Sequence, residues 1–159
     1  MATQLDRIDI KILTELMKDG RISNVRLAEH VGLSPSPCLQ RIKRMEAAGI
    51  ISGYGAILDL RRISQTVTVF TEFTLLEHRR DNFSRFEQGV ARVAEIEECH
   101  LISGGYDYLV KFVVRSIESY QEIVELLLDR NLGIDKYFSY IVIKSPIDRH
   151  TLPLQAYID

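Results

Sequence analysis

The chain has 159 residues, 46% hydrophobic and 26% charged, with 20 Lys/Arg against 22 Asp/Glu and a formal net charge of −2. That length suits one average domain or two small ones, each able to bury a modest core, and the balanced charge excludes a global basic footprint. No apolar run approaches the roughly 18 residues of a membrane span, and the opening MATQLDRIDI does not read as a secretory signal.

The first predicted element is a helix, because Leu5, Ile8, Ile12, Leu13 and Leu16 recur at about 3.6 residues. Asp6 and Asp9 favour its positive N-terminal end, and Gly20 suits the position just past its end. Residues 24–45, NVRLAEHVGLSPSPCLQRIKRM, predict two more short helices around a glycine turn. Leu27, Ala28 and Val31 make the apolar stripe of the first, and small Ala28 permits a close crossing. Gly32 supplies the turn, Leu33 plugs the space between the helices, and Ser34 with Pro35 starts the second helix. Cys38, Ile42 and Met45 form that helix's apolar face; Gln40, Arg41, Lys43 and Arg44 are its polar residues, with no acid between Ser34 and Met45. Gly49 ends it.

This is a helix-turn-helix whose second helix is built to enter a DNA groove. Arg41, Lys43 and Arg44 are expected to carry DNA affinity, with Ser34, Ser36 and Gln40 near base edges or phosphates. The competing reading is a helical hairpin with a solvated charged face. Charge placement supports the first: residues 1–50 hold eight Lys/Arg against six Asp/Glu, and residues 51–159 twelve against sixteen. A weakly basic head therefore precedes an acidic body.

Residues 50–60, IISGYGAILDL, read as a short strand or wing leading into a tether. From Thr66 the period becomes two, predicting a strand over 66–76. Phe83, Phe86, Val90 and Val93 return to helical spacing. Strands follow over 96–103 and from Tyr108 to Val114, then a helix through Tyr120, Ile123, Val124, Leu127 and Leu128, then a strand from Tyr137 to Lys144. The order βαββαβ is the split βαβ, ferredoxin-like arrangement. The strands are nearly continuous in Val, Ile, Phe and Tyr, so the helix-free face of the sheet stays apolar and invites a second copy, unless the head or the tail covers it.

Little else points to chemistry. Cys38 and Cys99 read as buried thiols in a reducing cytoplasm. His30, His78, His100 and His150 lack metal-ligand spacing, and adjacent Cys99-His100 would point to opposite faces of a strand. The sequence shows no nucleophile elbow, phosphate loop or paired catalytic carboxylates, so neither a catalytic residue nor a cofactor is expected.

The whole pattern resembles the Lrp/AsnC (leucine-responsive/asparagine-responsive, feast/famine) transcription regulators. In the head the resemblance rests on Leu5-Asp6-Arg7-Ile8-Asp9-Ile10-Lys11-Ile12-Leu13, Gly20-Arg21-Ile22-Ser23, Leu27-Ala28, Val31-Gly32-Leu33-Ser34, Arg41 and Gly49-Ile50-Ile51. In the body it rests on the run from Glu98 through Gly104-Gly105 to Leu109. It implies an α+β chain: a winged helix-turn-helix head (1–52), a strand tether (53–65), a ferredoxin-like βαββαβ (RAM-type) effector-binding and oligomerisation domain (66–145) and a tail (146–159).

It further implies a DNA-binding regulator in the cytoplasm of a bacterium or archaeon, associated with the nucleoid. Its partners would be double-stranded DNA, a small amino-acid effector and further copies of itself, as a homodimer assembling to an octamer. The effector would sit between dimers at Ser103, Gly104, Gly105, Tyr106 and Asp107, with Tyr137 and Ser139 lining the site from across an interface. The chemistry suits this: the glycines open backbone N–H groups to an α-carboxylate, and Asp107 offers a counter-charge to an α-ammonium. Taken alone, the same Gly-Gly pair is an ordinary hairpin turn with Asp107 stabilising it. Two alternatives share the scaffold, a sirohaem-decarboxylase-like enzyme and a DNA-organising regulator without effector. The tail around Arg149-His150-Thr151-Leu152-Pro153-Leu154 is apolar enough to dock on a neighbouring surface.

Overall fold

The computed structural model describes residues 4–149 and 153–156, the side chains of Arg61 and Gln155 excepted. The first three residues of the opening segment, and His150, Thr151 and Leu152 of the tail, lie outside the described residues. The chain divides into two units: one runs to Ile57 and resumes at Ile147, the other spans Leu58–Pro146. Among the described residues no helix is long and apolar enough to cross a membrane.

In the first unit, α1 (Arg7–Lys18) starts in a capping box. The Asp6 carboxylate accepts from the backbone N–H groups of Ile8 and Asp9 (2.8 and 2.9 Å), and the Asp9 carboxylate accepts from Asp6 N–H (3.0 Å). Gly20 stands just past the helix but is not left-handed; Asp19 closes α1 in extended backbone. Helix α2 (Asn24–Val31) ends at Gly32, whose φ of 75° is the left-handed conformation the turn requires, and Leu33 N–H returns to Ala28 C=O at 2.8 Å. Helix α3 (Pro35–Ala47) has Ser34 as N-cap and Pro35 at its first position, although the Ser34 hydroxyl makes no capping hydrogen bond. Gly49 (φ 70°) closes α3 in a Schellman motif: Gly49 N–H donates to Glu46 C=O (2.9 Å) and Ile50 N–H to Met45 C=O (2.9 Å). Ile12, Leu27, Ala28, Cys38 and Met45 are buried together at the centre.

The expected strand over residues 50–60 does not form. A strand needs a partner edge for its backbone groups, and among the described residues this segment meets none; a 3₁₀ turn, Leu60–Arg62, follows at its end. The tail is also not a separate element. Leu154, in a second 3₁₀ turn (Leu154–Ala156), packs against the head's apolar cluster beside a cleft of about 400 Å³ bounded by Leu13, Leu16, Met17, Ile50 and Ile57.

The second unit has the predicted order: β1 (Val67–Leu75), α4 (Arg80–Val90), β2 (Ile96–Leu101), β3 (Tyr108–Val114), α5 (Ile117–Asp129) and β4 (Ile134–Ile141). The strands form one antiparallel sheet in the order β2-β3-β1-β4. Val69, Thr71, Phe73 and Leu75 of β1 and Tyr108, Val110, Phe112 and Val114 of β3 are buried on one face against Phe86 of α4 and Val124 and Leu127 of α5. The boundaries of three elements move. Helix α4 starts at Arg80 and closes at Val90, because Arg80-Asp81-Asn82 contribute a polar first turn that apolar spacing does not mark. Strand β2 stops at Leu101. Strand β4 starts at Ile134, directly after left-handed Gly133, and pairs Ile134 with Leu75 across an irregularity at Thr74/Leu75. Its Asp135-Lys136 opening hides that start from an apolar count.

The other face of the sheet carries Phe70, Leu109, Phe138 and Tyr140, interspersed with Glu72, Lys111 and His100. Phe138 is 57% and Tyr140 52% exposed. The apolar open face expected from strand composition is therefore present.

Candidate nucleic-acid interface and effector turn

Helix α3 divides its polar residues between two positions. With Cys38, Ile42 and Met45 buried, the 100° step per residue puts Ser36, Gln40 and Lys43 opposite the core, and all three are exposed. Ser34 is exposed at the helix start. The start of α3 is tied to α2 by Asn24 Nδ2, which donates to Pro35 C=O at 2.8 Å.

Arg41 and Arg44 lie on the flank that meets α1. Arg41 Nη1 donates to Asp6 Oδ2 (2.6 Å) and Asp9 Oδ1 (2.8 Å), and Arg44 Nη2 donates to Asp9 Oδ2 (2.5 Å). Asp9 is fully buried. The Asp9 backbone N–H and the Arg41 guanidinium hold the Asp6 carboxyl at about 2, well below its usual 3.8, and Asp6 in turn raises Arg41. Of the three cations predicted for DNA, Lys43 alone points straight away from the core; the two guanidiniums serve internal ion pairs. Helical spacing shows which way Lys43 points, whereas the pairing of Arg41 and Arg44 depends on where α1 crosses.

In the body, Ile102 N–H donates to Asp107 C=O (2.8 Å), closing a four-residue loop over Ser103, Gly104, Gly105 and Tyr106. The first three are exposed and Tyr106 is half-buried. Asp107 N–H donates to Phe73 C=O (2.9 Å), and Asp107 Oδ2 accepts from Leu75 N–H (2.7 Å), so the turn is fastened to the end of β1. His78 Nε2 stands 2.9 Å from Asp107 Oδ1. No sequence signal singled out His78, which follows a strand and belongs to no motif.

Tyr137 and Ser139 lie on β4, across β1 from the turn. Tyr137 pairs with Phe73 (ring centroids 6.1 Å apart) and Ser139 with Thr71. The backbones of the turn and of Tyr137 thus flank Phe73 at two strand spacings, roughly 9–10 Å. The Ser139 hydroxyl bonds Tyr120 OH, which also meets Thr71 Oγ1 at 2.8 Å, so this buried tyrosine ties α5 to two strands. Tyr120 was read from its spacing as core alone; its hydroxyl partners carry no sequence mark.

Cys38 is buried as expected, but Cys99 is exposed, because β2 is an edge strand and α4 leaves its position uncovered. Cys99 faces Val110 and His100 faces Leu109, on opposite sides of the sheet, and His100 instead pairs with Glu98 at 3.0 Å. Among the described residues no cluster of three metal-ligating side chains occurs.

Two family models match the chain: winged helix-turn-helix DNA-binding over residues 5–52, and the Lrp/AsnC ligand binding domain over residues 68–152. The leucine-responsive regulatory protein of Escherichia coli is 45% identical over 140 residues, covering 88% of this chain and 85% of that protein. The transcriptional regulatory protein DoeX of Halomonas elongata is 44% identical over 142 residues, covering 89% and 90%. Among solved structures, a Neisseria meningitidis transcriptional regulator in complex with L-methionine superposes with a TM-score of 0.89 at 32% identity, over 98% of this chain and all of that one. Escherichia coli AsnC superposes with a TM-score of 0.84 at 26% identity, over 92% and 97%.

Proposed function

The chain belongs to the Lrp/AsnC family of DNA-binding transcriptional regulators, and on that premise we propose how its residues divide the work. The exposed row Ser36, Gln40 and Lys43 reads duplex DNA, with Ser34 near a phosphate at the start of α3 and Arg41 and Arg44 holding that helix in place. The observation that carries this reading is the geometry of α3, whose start is pinned to α2 and whose face opposite the core is polar and free of acids. Bases are read by such side chains in the major groove, and phosphates fix the register.

A small, apolar amino acid binds at Ser103, Gly104, Gly105, Tyr106 and Asp107, with Tyr137 and Ser139 contributed across an interface between copies, and changes DNA binding or assembly. Support comes from the methionine complex of the Neisseria relative and from a charged turn beside half-exposed Tyr137. The separation of the turn from Tyr137 within one chain suits a site completed by a neighbouring subunit. The open sheet face around Phe138 and Tyr140 makes a homodimer, which assembles further to an octamer. The protein acts on the nucleoid in the cytoplasm and catalyses no reaction.

The test is a thermal-shift panel of the twenty amino acids on the full chain, then anisotropy on promoter DNA with each binder. An effector raises the melting point by mass action and shifts the DNA isotherm. If no amino acid does either, the effector reading fails and a regulator without effector replaces it.

A further inference from the structure

Among the described residues Asp9 is the single fully buried carboxylate. A charge taken out of water is costly unless it is paired and hydrogen-bonded on all sides. Asp9 meets that condition with two partners from one helix. Arg41 reaches Oδ1, and Arg44 with the Asp6 backbone N–H reaches Oδ2. Asp6, the cap of α1, takes a second bond from Arg41. The capping box that starts α1 is therefore also the receptor for two guanidiniums of α3. These ion pairs add a directional polar contact to the apolar one that Ile12 and Leu13 of α1 share with Cys38, Ile42 and Met45 of α3.

We propose that Asp9 is a positioning residue for operator recognition: it draws Arg41 and Arg44 away from DNA and fixes the angle at which Ser36, Gln40 and Lys43 meet the groove. The inference rests on the reading of α3 as the DNA-contacting helix. Two carboxylates neutralise the two guanidiniums, so the cation that α3 offers to phosphate is Lys43. Loss of Asp9 would release Arg44 and leave Arg41 to Asp6 alone, freeing positive charge that binds phosphate without regard to sequence.

The full-length protein is titrated, by fluorescence anisotropy between 50 and 200 mM salt, onto a duplex it selected from random DNA and onto a scrambled duplex of equal length. Lys43→Ala is expected to flatten the log–log salt slope by about 0.9 per lost contact. Arg41→Gln and Arg44→Gln are expected to weaken binding to the selected duplex while leaving the slope unchanged. Asp9→Asn is expected to steepen the slope, by up to about 0.9 per released arginine. It should also cut the ratio of selected to scrambled affinity by about tenfold, the scale of one mismatched base pair.

A structural role alone would lower the melting point and leave slope and ratio unmoved. Flattening by Arg41→Gln or Arg44→Gln equal to that of Lys43→Ala overturns the proposal, as does an unchanged ratio in Asp9→Asn. If Asp9→Asn melts below the assay temperature, the two arginine variants decide. Unchanged binding in Ser36→Ala, Gln40→Ala and Lys43→Ala alike would instead refute α3 as the DNA helix.

Discussion

Replacing Asp107 by Asn separates the counter-charge of the effector turn from its shape. The carboxylate holds Leu75 N–H at 2.7 Å and faces His78 Nε2 at 2.9 Å, with 15% of its side chain exposed. The amide keeps one carbonyl oxygen for Leu75 and places an NH₂ or that oxygen toward His78, so both contacts survive as neutral ones. Hydrogen bonds to charged groups contribute about 1.5–3 kcal/mol and neutral ones about 0.5–1.5, so folding loses about 1 kcal/mol. For a unit of this size that lowers the melting temperature by roughly 4–8 °C. A bound α-ammonium loses its counter-charge outright, which at about 1.5–3 kcal/mol weakens affinity roughly tenfold to a hundredfold. Isothermal calorimetry with the strongest binder of the amino-acid panel measures the second effect and thermal melting the first. DNA binding without amino acid should be unchanged. Equal affinity in wild type and Asp107→Asn would remove Asp107 from the ligand site.

Three further outcomes test other parts of the molecule. Phe138→Asp with Tyr140→Asp places two charges on the open sheet face and should convert the sedimenting species to monomer with an unchanged far-UV spectrum; a persistent dimer would show that another surface pairs. Asp6 titrates at about 2 in the fold against 3.8 in its usual state, so its stabilisation is complete above pH 4 and lost as pH falls toward 2. In Asp6→Asn that loss should vanish from the melting temperature measured against pH, a small effect because half of the side chain is in water, and wild-type-like acid sensitivity would count against it. A methyl added at Gly89 would stand 2.5 and 2.6 Å from the two Cδ atoms of buried Leu132 and 3.1 Å from its Cγ. Overpacking of about 1–3 kcal/mol then outweighs the roughly 1 kcal/mol of helix propensity gained by Gly89→Ala, and thermal melting should show a net loss; a more stable variant would mean Leu132 yields freely.

What the sequence disclosed follows from how far each signal reaches along the chain. Gly32 and Gly49 sit in left-handed turns, as the local pattern of apolar residues and glycines requires. Strands β1 and β3 were legible because alternate residues face a core on one side only. The start of β4 was not, since Ile134-Asp135-Lys136 pairs with Leu75 and its neighbours through a distant edge. The site divides the same way. The outward row Ser36, Gln40 and Lys43 follows from the helical period once Cys38, Ile42 and Met45 are known to be inside. The engagement of Arg41 and Arg44 by Asp9 joins residues more than thirty positions apart. The approach of His78 to Asp107 likewise depends on the register of β1 against β3.

The placement of Leu154 has a consequence for how the chain is made. Residues up to Ile57 leave the ribosome before the second unit does, and domains generally fold as they emerge. This head, however, takes Leu154 into its apolar cluster, and that residue follows the entire second unit in the chain. A nascent head therefore carries an open cleft beside Leu13, Leu16 and Met17 throughout synthesis of the body. The head reaches its final packing only after the second unit has been translated, which makes the newborn head a surface for chaperones and ties its completion to synthesis of the segment around Leu154.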